Sequence, residues 1–301
     1  MDFLKSTISL MLLCLACGDC DEKKEHLPVV IWHGMGDSCC FSFSMGRIKA
    51  LIEDQLPGIY VYSIRIGNNE IEDVEHSYFG NVNNQIQEVC DQLSKDERLQ
   101  NGYNAIGFSQ GGQFLRAVAQ RCPNPPMINY ISIGGQHQGV FGVPNCGNLE
   151  NRMCDYIRRV LKHGAYLRFI QEKLVQATYW HDPLQEDEYR TRSILMPDIN
   201  NDIHINETYK ENLLKLKSMV LVKFTEDSMV TPSESEWFGF YEPGQATKVI
   251  PLNELDIYKQ DRLGLKTLYN SGRLHFLSVS GDHLRFTESW FIDNIIKKYL
   301  I

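Results

Sequence analysis

Between an apolar segment, Tyr103-Asn104-Ala105-Ile106, and a helix-forming one, Gln113-Phe114-Leu115-Arg116-Ala117-Val118-Ala119, the chain reads Gly107-Phe108-Ser109-Gln110-Gly111. No other stretch constrains the fold as much. A strand that turns at once into a helix needs small residues around the corner, and G-x-S-x-G supplies them on both sides of one serine. The hydroxyl then stands clear of the core, at a helix N-terminus where developing negative charge is favoured. A plain glycine turn can carry the same five letters, so the remaining parts of a reactive site must come from elsewhere in the chain.

The flanking pattern supplies a scaffold. Val29-Val30-Ile31-Trp32 reads as a buried strand ending at His33-Gly34-Met35-Gly36-Asp37, and Met45, Ile48 and Ile52 then recur at helical spacing. A strand over Ile59–Ile64 follows Pro57-Gly58, and Val82, Ile86, Val89 and Leu93 share one helical face. Further strands are expected at Ile128–Ile133, Met219–Phe224 and Leu274–Val279, before a terminal helix carrying Trp290, Phe291, Ile295 and Ile296. Such alternation predicts an α/β fold with a mostly parallel central sheet covered on both faces. From about residue 136 to residue 217 the pattern is helical only, with one stripe at Met153, Tyr156, Ile157, Val160 and Leu161 and another at Leu167, Ile170, Leu174 and Ala177. That segment reads as a helical cap inserted into a single domain.

The first residues resemble a cleaved secretory signal over 1–18: Lys5 precedes the apolar run Ile8–Ala16, and a polar stretch from Asp19 to Glu25 follows. The mature domain would then occupy 19–301. The apolar run is too short to span a bilayer, and no other segment qualifies as a transmembrane helix. A net charge of −8 gives no basic footprint for nucleic acid. Of nine cysteines, three (Cys14, Cys17, Cys20) fall in or beside the leader, and the remaining six are Cys39, Cys40, Cys90, Cys122, Cys146 and Cys154. An even set on the secretory route predicts disulfides, in any of about 15 pairings. A zinc site lacks a C-x-x-C pair among those six, so neither metal nor cofactor is expected. One sequon, Asn206-Glu207-Thr208, marks a candidate glycan.

A serine hydroxyl is a poor nucleophile until a base takes its proton. On a sheet of this kind the partners follow the serine in the order acid, then histidine, on loops at the carboxyl ends of later strands. Asp227 comes just after the strand ending at Phe224, and His283 just after the one ending at Val279. His33, His137, His181 and the other histidines lie in earlier loops, helices or strands, and Glu226, Asp256 and Asp261 are less well placed than Asp227. The oxyanion hole would use the backbone N–H of Gln110, after the nucleophile, and that of Met35, in the loop after the first strand.

Longer motifs carry a resemblance. His33-Gly34-Met35-Gly36-Asp37-Ser38-Cys39-Cys40, Gly107 to Ala117, Gly134-Gly135-Gln136-His137-Gln138-Gly139-Val140, Ser235-Glu236-Trp237-Phe238-Gly239-Phe240-Tyr241 and Gly281-Asp282-His283-Leu284 resemble the lysosomal palmitoyl-protein thioesterases. The likeness runs from about Pro28 to the end. It implies an α/β-hydrolase that removes long-chain acyl groups from cysteines of S-palmitoylated proteins or peptides in the lysosome. Ser109, Asp227 and His283 would be the triad, with Met35 and Gln110 as the oxyanion hole. It also implies disulfides Cys39–Cys40, Cys90–Cys122 and Cys146–Cys154. Two departures stand out: Glu226 occupies the place of an asparagine before the acid, and Thr191-Arg192-Ser193 lacks a sequon the family often carries. Sorting by a glycan receptor would therefore rest on Asn206, with secretion as a second destination. Leu174, Val175, Trp180, Met229 and Val230 are the expected wall of an acyl groove. Two competing readings are a secreted lipase or carboxylesterase and a catalytically silent hydrolase-fold binding protein.

Overall fold

A computed structural model of the chain describes residues 26–142 and 152–301. The expected signal segment 1–18 and the Cys146–Cys154 pair lie outside the described residues. Six parallel strands form the central sheet: β1 (Val29–Trp32), β2 (Val61–Ser63), β3 (Tyr103–Phe108), β4 (Met127–Ile133), β5 (Ser218–Phe224) and, after a small antiparallel pair β6 (Phe240–Tyr241) and β7 (Val249–Ile250), β8 (Leu274–Val279). Their order is β2-β1-β3-β4-β5-β8.

Alternation along each strand divides the core into two layers. Val29 and Ile31 of β1, Ile106 and Phe108 of β3, and Val220, Val222 and Phe224 of β5 face one side. There they meet Leu51 and Ile52 of α1 (Met45–Gln55) and Phe291, Ile295 and Ile296 of the C-terminal helical segment. Val30, Trp32, Ala105, Tyr130, Met219 and Leu221 face the other side. After the short α2 (Glu70–His76), this second layer is covered by α3 (Val82–Lys95) and α4 (Gln110–Arg121), and by the segment between β4 and β5. Both faces being covered explains why the strands read as near-continuous apolar runs.

The segment between β4 and β5 contains helices and turns and, among the described residues, no strand: α5 (Arg152–Gly164), α6 (Arg168–Gln171), α7 (Glu186–Arg192), α8 (Met196–Ile199) and α9 (Glu207–Leu214). The stripe from Leu167 to Ala177 does not form one helix. It breaks into α6 and a one-turn helix at Val175–Tyr179, because the backbone between them pairs with a neighbouring loop: Gly80 N–H donates to Lys173 O at 2.9 Å and Val175 N–H to Tyr78 O at 2.9 Å. Tertiary pairing outweighs local helical spacing here.

Arg116 fastens this segment to the sheet. Its guanidinium, fully buried on α4, donates to Ile199 O at 2.9 Å, Asn200 Oδ1 at 2.8 Å and His137 O at 3.2 Å. Disulfides join Cys39 to Cys40 and Cys90 to Cys122, as the resemblance implied. The second ties α3 to the residue following α4. Among the described residues no helix is long and apolar enough to cross a membrane.

Candidate active site

The strand order reverses direction at β1, which lies between β2 and β3. At such a switch point the loops leaving the carboxyl ends of two adjacent strands diverge and open a crevice. The loop after β1 carries Gly34 and Met35, and the turn after β3 carries Ser109. Trp32 pairs in register with Gly107, so the two loops leave the sheet side by side.

Ser109 occupies the corner at φ 53° and ψ −126°, outside the regions ordinary side chains prefer. Gly111 lets the following helix press onto β1: a Cβ there would lie 2.6 Å from Trp32 O and 2.7 Å from His33 O. The same closeness puts Gly34 against the nucleophile, since a Cβ on Gly34 would sit 3.0 Å from Ser109 Cβ.

His283 and Asp227 arrive from the loops after β8 and β5, adjacent parallel strands. Those loops are stitched together by Glu226 N–H to Gly281 O at 3.0 Å and by Asp282 Oδ1, which accepts Ser228 N–H at 2.8 Å and His283 N–H at 2.7 Å. A continuous relay results. Ser109 Oγ donates to His283 Nε2 at 2.9 Å, and His283 Nδ1 donates to Asp227 Oδ2 at 2.5 Å. Asp227 Oδ1 accepts the N–H groups of Met229 at 2.8 Å and Val230 at 2.7 Å, which fixes the carboxylate. Burial opposes its ionisation, but bonds with His283 and with the neighbouring Glu236 outweigh that and hold its pKa below the usual carboxylate range.

Two backbone N–H groups lie beside the serine, those of Gln110 and Met35. Gln110 opens α4, where the first backbone N–H groups have no partner within the helix. Its side chain is held from two sides: Nε2 donates to Ser77 O at 3.0 Å, and Oε1 accepts Tyr179 OH at 3.1 Å. The Gly34–Met35 peptide is oriented by buried His33, whose Nδ1 donates to Gly34 O at 2.9 Å. The N–H of Met35 therefore points the opposite way. His33 in turn leans on Asp73, 3.3 Å away.

Two residues of the motifs, given no role by the sequence, also touch the relay. Gln136, buried in the loop that follows β4, donates from Nε2 to Ser109 Oγ at 3.2 Å. Its position was the available signal, since it leaves the carboxyl edge of the strand beside the nucleophile strand. Glu236, buried beneath Asp227, accepts Phe224 N–H at 2.8 Å. Burial, then the bond and negative charge of Asp227, push its pKa up to about 11. Asp227, Glu236 and His283 also have the spacing of a cation site. Their facing atoms, however, are already engaged with one another.

The competing histidines have other partners. His137 is fully buried, bonded to Ser132 Oγ at 2.9 Å and stacked on Phe238, and burial keeps it neutral. His181 bonds Glu186 at 2.9 Å and stacks on Tyr189 and Phe240.

A cavity of about 410 Å³ opens at Ser109 and His283, with apolar surface from Met35, Met45, Phe108, Met229, Leu284 and Phe286. Of the five expected groove residues only Met229 lines it. Leu174, Val175, Trp180 and Val230 are buried together in the core layer above the sheet. Asn206 is exposed and caps α9, with Oδ1 accepting Tyr209 N–H at 3.4 Å.

The sequence model describing palmitoyl protein thioesterases matches residues 28–283. The chain belongs to the palmitoyl protein thioesterase family. Palmitoyl-protein thioesterase 1 of Caenorhabditis elegans is 53% identical to it over 97% of this chain and 98% of that protein. Palmitoyl-protein thioesterase 3 of Dictyostelium discoideum is 40% identical over 94% and 92% of the two chains. A lysosomal thioesterase PPT2 homolog of Drosophila melanogaster is 27% identical over 90% of each. The matched span includes the Ser109 elbow, Asp227 and His283, so family membership and the relay coincide on the same residues.

Proposed function

We propose that this chain hydrolyses long-chain acyl thioesters, chiefly palmitoyl, on cysteines of S-acylated proteins or peptides, by acyl transfer through Ser109. The observation that carries the reading is the unbroken relay from Ser109 Oγ through His283 to Asp227, at an elbow facing a partly apolar cavity, in a chain of this family.

The steps follow from the geometry. His283 Nε2 takes the serine proton as Oγ attacks the thioester carbonyl, and Asp227 holds the ring and balances its charge. The N–H groups of Gln110 and Met35 receive the oxyanion. Sulfur leaves as thiolate, which needs little acid help because a thiol has a pKa of about 8.5, and it takes up the proton His283 holds, which returns the ring to neutral imidazole. Water, activated by the same imidazole, then releases the fatty acid from the acyl-serine. Selectivity falls to the lipid: burying a sixteen-carbon chain supplies on the order of 10 kcal/mol before ordering costs. The acyl chain would lie along the apolar residues that line the cavity at the serine, Met229 among the expected ones and with it Met35, Met45, Phe108, Leu284 and Phe286, and these form the proposed acyl wall.

The site of action is proposed to be the lysosome, reached by the secretory route, with secretion as a second destination. The lysosomal thioesterase PPT2 homolog of Drosophila melanogaster among its relatives and the exposed Asn206 sequon support this. A glycan on Asn206 would serve a sorting receptor and leave the helix cap intact, because the cap uses Oδ1 while the sugar attaches to Nδ2.

Parallel assays with an S-palmitoyl-cysteine peptide and a triacylglycerol test the substrate class. Turnover is expected on the thioester with kcat/KM at least a hundredfold higher, the order a site-specific contact supplies. Preference for the triacylglycerol would establish a lipase instead.

A further inference from the structure

Glu236 has no place in a three-residue relay, yet it is built against it. It sits on the one-turn helix Ser233–Trp237 and is 1% exposed. One carboxyl oxygen accepts Phe224 N–H, while the other is fully buried and, among the described residues, meets no N–H or O–H donor. An oxygen of Glu236, an oxygen of Asp227 and a ring nitrogen of His283 lie within 4.8 Å of one another. Its two chain neighbours lock it in place. Ser235 Oγ donates to Gly139 O at 2.6 Å and accepts Gln138 N–H at 3.0 Å, and Trp237 Nε1 donates to Leu221 O at 3.0 Å.

Two carboxyl groups this close and shielded from water do not both ionise. Asp227 accepts N–H bonds from His283, Met229 and Val230, whereas Glu236 accepts one. The proton therefore belongs to Glu236.

We propose that Glu236 is a positioning residue that, as a neutral carboxylic acid, donates a hydrogen bond to Asp227 and extends the relay to four side chains. The proposal rests on the acyl-transfer reading of Ser109. The strongly raised pKa of Glu236 agrees with it. Other charged groups facing the pair are Lys223 on β5, which pairs with Glu234 at 3.4 Å, and Glu226 and Asp282 on the two catalytic loops. Lys223 acts against protonation of Glu236, and burial and Asp227 outweigh it. The arrangement has a kinetic consequence. A second carboxylate would favour the protonated, inactive imidazole, and so would an Asp227 left more basic by loss of the donor. A neutral Glu236 avoids both and keeps the base competent in acid.

The test uses full-length purified protein and two readouts: the pH dependence of Ser109 inactivation by a fluorophosphonate, and the infrared carbonyl band of a protonated carboxyl near neutral pH. Glu236→Gln keeps a neutral donor of the same shape. It is expected to remove the infrared band and leave the acid limb of the rate profile in place. Glu236→Leu removes the donor, and is expected to slow inactivation about tenfold to a hundredfold and move the acid limb up by about one pH unit. A wild-type spectrum without the band, or a Glu236→Gln acid limb that shifts, would overturn the proposal. So would a folded Glu236→Leu protein with an unchanged profile. The infrared band needs no turnover, so it reports on Glu236 even if the acyl-transfer reading fails by lack of labelling at Ser109.

Discussion

At Ser109 the backbone is held at φ 53° so that one hydroxyl can meet both a base and an amide. The hydroxyl has a single proton, and that proton is directed to His283 Nε2 at 2.9 Å. The bond with Gln136 therefore runs the other way, with the amide Nε2 donating into a serine lone pair at 3.2 Å. Gln136 thereby selects the rotamer in which the serine proton faces the imidazole. Its own main chain is anchored by N–H donation to Gln113 Oε1 at 3.0 Å. Gln136→Ala is expected to lower kcat roughly tenfold, the value of one hydrogen bond, with KM little changed. Steady-state kinetics on the palmitoyl peptide check this, and a rise confined to KM would mean that Gln136 binds substrate and does not orient the nucleophile.

The elements that carry the site are positioned by close backbone approach. At Gly111 the first turn of α4 comes within van der Waals contact of the backbone after β1. Neither side of that contact is a flexible side chain, so Gly111→Ala must separate helix from strand. We expect a stability loss of about 1–3 kcal/mol, with kcat/KM falling further because the Met35 loop moves with β1. Denaturant midpoints beside kinetics would test this, and unaltered values in both would show that the two elements are not rigidly coupled. The sheet strands, α1, α3 and α4 were legible because each alternates or repeats toward a core layer, and Ser109, Asp227 and His283 because each follows a strand. β2 is shorter than the expected Ile59–Ile64, although Ile59 and Ile64 are buried beside it. α2 and the pair β6 and β7 went unread. α2 is mostly polar and leaves Ile71 80% exposed, and strands of two residues carry no period. Gln136 and Glu236 were invisible as functional groups because their role depends on what lies across the fold from them.

Across the whole molecule, buried carboxyl groups link stability to pH. Burial, followed by the bond with Asp227, raises Glu236 to about 11, and burial raises Asp202 to about 6. A raised folded pKa gives stability that is complete below the unfolded value of about 4 and is lost as pH rises toward the folded value. Asp202 acts between about pH 4 and pH 6, while Glu236 acts from about pH 4 upward through neutrality. Asp73 and Asp227, whose pKa values are lowered, act oppositely and lose their contribution only as pH falls below about 4. The chain is therefore expected to be more stable at about pH 5 than at about pH 8, with Glu236→Gln flattening the decline. Guanidinium midpoints at both values check this, and a higher midpoint at the alkaline end would reverse the assignment of protons. An acid-favouring fold agrees with the proposed lysosomal setting. The most direct test of the central claim is rapid-quench mass spectrometry of the protein mixed with an S-palmitoyl-cysteine peptide. The account predicts a transient palmitoyl ester on the peptide containing Ser109, absent from Ser109→Ala, which folds but releases no palmitate. Palmitate release by Ser109→Ala at the parent rate, or an acyl adduct on another residue, would contradict it.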